Sequence, residues 1–157
     1  MMLGFDAYNS EEKSAPDPYW IVNDHLCIVS EDKIYETDVK RIPAEDVRQA
    51  AQHATWIRRN VNTLHKDAKI ITIFVSNSNS IEDDARVFAE NIFYFNRNDL
   101  CKWATRAIES LRTVRSSFQV PGDSEWRTKA EKTFEENGIT PDAFIKLATQ
   151  TPLSNIT

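Results

Sequence analysis

Asp17, Glu31 and Lys33 are the residues whose types and spacing best suit chemistry in this chain of 157 residues. Glu31 and Lys33 stand two apart, so on a strand both side chains leave one face while Asp32 leaves the other. Asp17 lies between Pro16 and Pro18, which exclude helix and keep the backbone extended. A hairpin that pairs the strand opened by Asp17 with the strand of Glu31 can bring the two carboxylates together. Close carboxylates repel unless a cation lies between them. Magnesium suits such a pair, since it takes oxygen ligands and keeps several waters. An ion of this kind polarises a phosphate oxygen and lowers the pKa of bound water. A lysine beside it stabilises charge developing on the phosphate or orients the attacking water. The parts of a phosphodiester hydrolysis thus fall within residues 17–33. Singly, an acid-x-Lys triplet or a Pro-Asp pair is usually a solvated face or a turn. The order gives the reading its weight: Pro-Asp, strand, tight turn, apolar strand, Glu-x-Lys, long helix.

The surrounding elements must position these groups. Tyr19-Trp20-Ile21-Val22 reads as a strand, Asn23-Asp24 as a tight turn and residues 25–33 as its partner. Residues 1–15 read as an extended or loop entry, with Leu3 and Phe5 against the core, and residues 34–42 as a short strand or loop. Pro43 suits the first turn of a helix whose stripe is Val47, Ala50, Ala54, Ile57 and Val61, ending near Thr63. Residues 69–75 are a continuous apolar run fit for a central strand. After a polar loop at 76–79, Ser80 is expected to cap a helix with Asp83 near its positive end and Ile81, Ala85 and Phe88 inward. Residues 92–95 read as a strand. Asn96 can cap a helix lined by Leu100, Ala104, Ala107, Leu111 and Val114. A helix over 123–137 stops at Gly138, and Thr140-Pro141 begins a last one, stapled by Ile139 and Phe144. Trp103 and Trp126 are expected in the core. This order predicts one α/β domain, a central mixed sheet flanked by helices. Its core spans 1–120, and 121–157 form a small helical extension packed on it for packing or docking.

Composition narrows the classes. No apolar run approaches the roughly 20 residues of a membrane helix, and residues 1–10 lack the pattern of a signal peptide. Cys27 and Cys101, far apart in expected core elements, read as reduced and buried in an intracellular, cytoplasmic protein. Three His and two Cys without close spacing give no zinc motif. The net charge of −5 argues against a free-standing, non-specific DNA binder and suggests that something else delivers the substrate.

Ala15-Pro16-Asp17-Pro18-Tyr19-Trp20, followed by Glu31-Asp32-Lys33, resembles the signature of the PD-(D/E)XK nuclease superfamily, the restriction-endonuclease-like fold. With Arg48-Gln49-Ala50-Ala51-Gln52-His53 on the next helix, the passage is closer still to nuclease domains beside helicases in bacterial DNA-processing proteins. The likeness spans residues 3 to about 115 in element order and is specific at the motif. It implies Asp17 and Glu31 as ligands of Mg2+, with Mn2+ as a substitute, and Lys33 as the catalytic lysine. Gln49 becomes an accessory residue near the scissile phosphate or flanking strand. The implied partners are DNA and a helicase or other DNA-processing protein; a homodimer would let two sites cut two strands. The family usually places a helix, often with another acid, before the first strand. Residues 1–15 carry no helical pattern, and Glu11 and Glu12 read as loop charges. Either the chain is a fragment of a larger protein, or that helix is dispensable.

His53, Arg58 and Arg59 are the candidate nucleic-acid contacts. His53 shares the face of Gln49, where it can touch phosphate or simply pack. Trp56, Arg58 and Arg59 can stack on bases and meet phosphates, or be a half-buried Trp beside solvated arginines. Lys102, Arg106, Arg112 and Arg115 form a basic strip or a solvated helix face, and the 76–80 loop can bind phosphate or only connect elements. The competing function is a non-catalytic nucleic-acid-binding or protein-docking module of the same fold. A third is hydrolysis of another phosphoester.

Overall fold

Along the chain, β1 (Asp6–Tyr8), β2 (Asp17–Asn23), β3 (Leu26–Lys33), β4 (Lys69–Ser76), β5 (Ile92–Asn96) and β6 (Thr151–Pro152) join one sheet in sequence order. The computed structural model describes residues 5–9, 15–36 and 41–157. β1, β2 and β3 are antiparallel neighbours, β3–β4 and β4–β5 are parallel, and β5–β6 is antiparallel. A parallel pair needs a crossover, and α1 (Ala44–Asn60) supplies it between β3 and β4. The protein is therefore α/β, with a mixed sheet flanked by helices. The apolar run of β4 is buried from Ile71 to Ser76, as a central strand requires.

Strand alternation sorts the core into two layers. Ile28, Ile71, Ile73 and Val75 face α2 (Arg97–Ser116) and α4 (Pro141–Ala148), packing with Trp103 and Phe144. On the opposite face Phe74 packs with Val47 and Ala50 of α1, and Cys27 and Val29 pack with Ile57. Continuing that period along β3 puts Glu31 and Lys33 beneath α1. The hairpin, the crossover helix and the central strand thus converge on the two residues expected to do chemistry.

Several expectations are corrected. β1 forms a paired edge strand within the extended or loop entry, and β6 pairs where no strand was expected. Pro43 is the cap residue before α1, which ends at Asn60 rather than near Thr63. Ser80 caps no helix: Ile81 bridges to Ile42, and a 3-10 helix, Asp83–Phe88, follows Glu82. Glu82 Oε2 instead accepts from Ala44 N at the start of α1 (3.2 Å). Ile81 and Ala85 are buried as expected, whereas Phe88 is exposed. Cys101 is exposed; Cys27 is buried, and burial pushes its thiol up to about 12. Trp126 is half-buried, donating Nε1 to Val114 O at 3.2 Å with its ring edge-on to Phe118.

Other details agree with the sequence. Asn96 caps α2 by accepting from Asn98 N (2.9 Å), and Asp123 caps α3 (Ser124–Glu136). Gly138, at φ +62°, ends that run. Ile139 and Phe144 are both buried, as a staple demands. Of the residues before β2, Phe5 is buried in the core, whereas Leu3, Glu11 and Glu12 lie outside the described residues. No helix among the described residues is long and apolar enough to cross a membrane.

Candidate functional site

Glu31 ends the buried part of β3 and has no exposed surface. A carboxylate there must be fully paired, or its desolvation would cost several kcal/mol. Its pairing comes from both chain directions. Lys33, two residues on, brings Nζ to 2.9 Å from Glu31 Oε1. His53, reaching down from α1, meets Glu31 Oε2 through Nε2. An ionised carboxylate only accepts, so His53 Nε2 donates. Glu31 Oε1 has the ion pair with Lys33 but no aligned hydrogen bond, and His53 Nδ1 has no partner among the described residues.

Lys33 is the hub of the site. Besides Glu31, its ammonium lies 3.3 Å from Gln49 Oε1 and 3.5 Å from Asp46 Oδ1. Asp46, Gln49 and His53 follow three- and four-residue steps, so one face of α1 delivers all three. Tyr35 donates its hydroxyl to Asp46 Oδ2 at 2.6 Å. Tyr35 is itself clamped by Asn77, whose Oδ1 accepts from Tyr35 N (2.9 Å) while Nδ2 donates to Tyr35 O (2.8 Å). That is the work of the polar loop after β4, because Ser76 sits opposite Lys33 in the parallel register.

The electrostatics are mutually reinforcing. Burial pushes the Glu31 carboxyl up, but the His53 hydrogen bond and the Lys33 ammonium outweigh it and hold the group below its ordinary 4.5. Burial likewise pulls Lys33 down, yet Glu31 and then Asp46 raise it above its ordinary 10.5. Burial and the Asp46 carboxylate raise the Tyr35 phenol well above its usual range, so it stays a donor.

The backbone of Asp17 pairs with Ser30, the residue before Glu31. The register shifts between Asp17 and Tyr19, which pairs with Val29, so Pro18 is the extra residue of a bulge. The Asp17 side chain lies outside the described part of the structure. Gln49 lies on the face of α1 above Lys33 and accepts from its ammonium at 3.3 Å. His53 is 1% exposed and bound to Glu31, so it packs and pairs instead of presenting itself to phosphate. The Arg58 guanidinium donates to Lys66 O (3.3 Å) and Ala68 O (3.1 Å), tying α1 to the loop before β4. It is a structural tie, nine residues and about 14 Å along the helix from Gln49. Arg59 is exposed. In the later strip, Lys102 pairs with Asp99 (3.0 Å) and Arg106 donates to Asn137 O (2.9 Å). Sequence reasoning missed Tyr35 and Asp46, although both carried a signal. Tyr35 continues the two-residue period of Glu31 and Lys33, and Asp46 precedes Gln49 by one helical turn.

Among the described residues, no group of three or more His, Cys, Asp or Glu is placed to hold a metal ion. Glu31 Oε1 has no aligned hydrogen bond and faces the Lys33 ammonium at 2.9 Å, and the Asp17 backbone runs on the neighbouring strand. What fold and site define together is an α/β domain with a helix-covered carboxylate–lysine pair on a central strand. No family model, no curated protein and no solved structure matches the chain.

Proposed function

We propose that this protein is a Mg2+-dependent nuclease of restriction-endonuclease-like fold that hydrolyses DNA phosphodiester bonds. The observation that carries the reading is the Glu31–Lys33 pair, 2.9 Å apart on a central strand, beside the strand that Asp17 opens. The sequence of hairpin, crossover helix and parallel strand supports it, as does Gln49 against Lys33. Asp17 and Glu31 would hold the ion, with Mn2+ as a substitute. When bound, it supplies Lewis acidity and an activated water. His53 fixes Glu31 by Oε2 and leaves Oε1 toward Lys33. Lys33, 29% exposed, keeps its charge beside Glu31 and Asp46 and can turn a donor toward a phosphate oxygen. Gln49 and Asp46 set the direction of that ammonium, and Tyr35 holds Asp46. The net charge of −5 favours delivery of DNA by a helicase or other DNA-processing partner in the cytoplasm. A homodimer would serve cutting of both strands. Cleavage of plasmid and single-stranded DNA with Mg2+ or Mn2+, by wild type and Lys33→Ala, tests it.

The complete burial of Glu31, with both oxygens engaged, favours a second reading. On that reading the pair only braces α1 against the sheet, and the domain binds nucleic acid or a protein without catalysis. Thermal melts separate the two. A working metal site raises Tm with Mg2+, and Asp17→Asn removes the rise. A brace gives the same Tm with and without the ion.

A further inference from the structure

We infer that the open flank of α1 beside the site is a track for single-stranded nucleic acid, with Tyr8 and Trp56 as its base-stacking platform. Two clefts of about 300 and 290 Å³ run along this flank. The first is lined by Glu45, Arg48, Gln49 and Gln52; the second by Gln52, Thr55, Trp56, Arg59 and Asn60. They share Gln52 and so form one surface. At one end is Gln49, in contact with Lys33. At the other the aromatic rings gather. Tyr8, on edge strand β1, is 44% exposed and stacks on Tyr19 at 5.1 Å and 15°. Tyr19 meets Trp56 at 6.1 Å, and Trp56 is half-buried at the cleft wall.

Aromatic rings at an open cleft, next to an arginine and amide side chains, are the chemistry that binds unpaired bases. Every base has a π-face, so stacking tolerates any sequence, whereas a duplex hides those faces. Arg59 lies one turn beyond Trp56 on the same flank and has no ion-pair partner among the described residues. Arg48, by contrast, is paired with Glu45. With Arg59 the one cation of the track left unpaired among the described residues, stacking has to supply most of the binding, which agrees with an acidic protein. That the track feeds the scissile phosphate to Lys33 rests on the nuclease reading; that it holds a single strand does not.

The test is fluorescence anisotropy of a labelled oligothymidylate and of a duplex of equal length with the full chain, over a range of salt. The expected result is binding of the single strand in preference to the duplex, weakened about tenfold by Trp56→Ala, the typical loss of one stacked base. Tyr8→Ala, at an exposed edge position, should weaken it similarly and guards against misfolding at Trp56. Arg59→Ala should flatten the dependence of log affinity on log salt by about 0.7. Equal or better binding of duplex, binding insensitive to both aromatic variants, or no binding of either oligonucleotide overturns the track. Stacking-dependent binding without cleavage would sustain the track and remove the nuclease reading. Cleavage without such binding would do the reverse.

Discussion

His53 and Glu31 meet across the interface between α1 and β3, both almost wholly buried, with His53 Nε2 donating to Glu31 Oε2. This contact fixes which carboxylate oxygen is left for Lys33, and so which way the site points. His53 is a positioning residue on this account. His53→Gln should lower stability by about 3 kcal/mol, the low end for breaking a buried pair. It should also raise the pKa of Glu31, since the His53 hydrogen bond is the foremost influence lowering it. The acid limb of the pH–rate profile should then move to higher pH. A lower Tm with an unmoved limb would leave His53 a purely structural group.

The depressed pKa of Glu31 sets the direction of acid sensitivity. A carboxyl held below its unfolded value stabilises the fold fully above about 4.5, and that contribution fades as pH falls through the folded value. Denaturant melts of wild type and Glu31→Gln should therefore differ most near neutrality and converge in acid. A gap that stays constant from neutral pH to acid would contradict the pairing.

Tyr35→Phe tests whether Asp46 needs its donor. Loss of the 2.6 Å bond should cost about 1 kcal/mol, typical of one hydrogen bond. Asp46 would then be freer, and Lys33 less well aimed, so the rate should fall with KM little changed. An unchanged kcat would confine Tyr35 to stability.

Arg58 and Arg59 adjoin in sequence but should behave oppositely. Arg58→Ala frees two backbone carbonyls and should lower Tm without altering oligonucleotide affinity. Arg59→Ala should leave Tm unchanged and weaken binding of the single strand. Parallel effects of the two variants on affinity would show that both meet the nucleic acid.

Patterns written in consecutive residues were legible in the sequence. The apolar run of β4, the stripe of α1 and the caps at Asn96 and Thr140 each depend on local periodicity or one local hydrogen bond. Glu31 and Lys33 share a face for the same reason. Edge strands were not legible. β1 and β6 are three and two residues long, and they exist only because a neighbouring strand offers a partner. The 76–80 loop looked like an anion loop or a cap because its polar side chains do not reveal their targets. Asn77 serves the Tyr35 backbone, forty-two positions away. His53 reads as polar, yet it fills a core position because a buried carboxylate stands opposite, a pairing visible only once the sheet is assembled.

Metal-dependent DNA cleavage by wild type and Lys33→Ala is the most direct test of the central claim. The wild type should cut with Mg2+ or Mn2+ and not with chelator, and a folded Lys33→Ala should lose cutting. Equal cutting by the variant, or no cutting by a folded wild type on either plasmid or single strands, would contradict it.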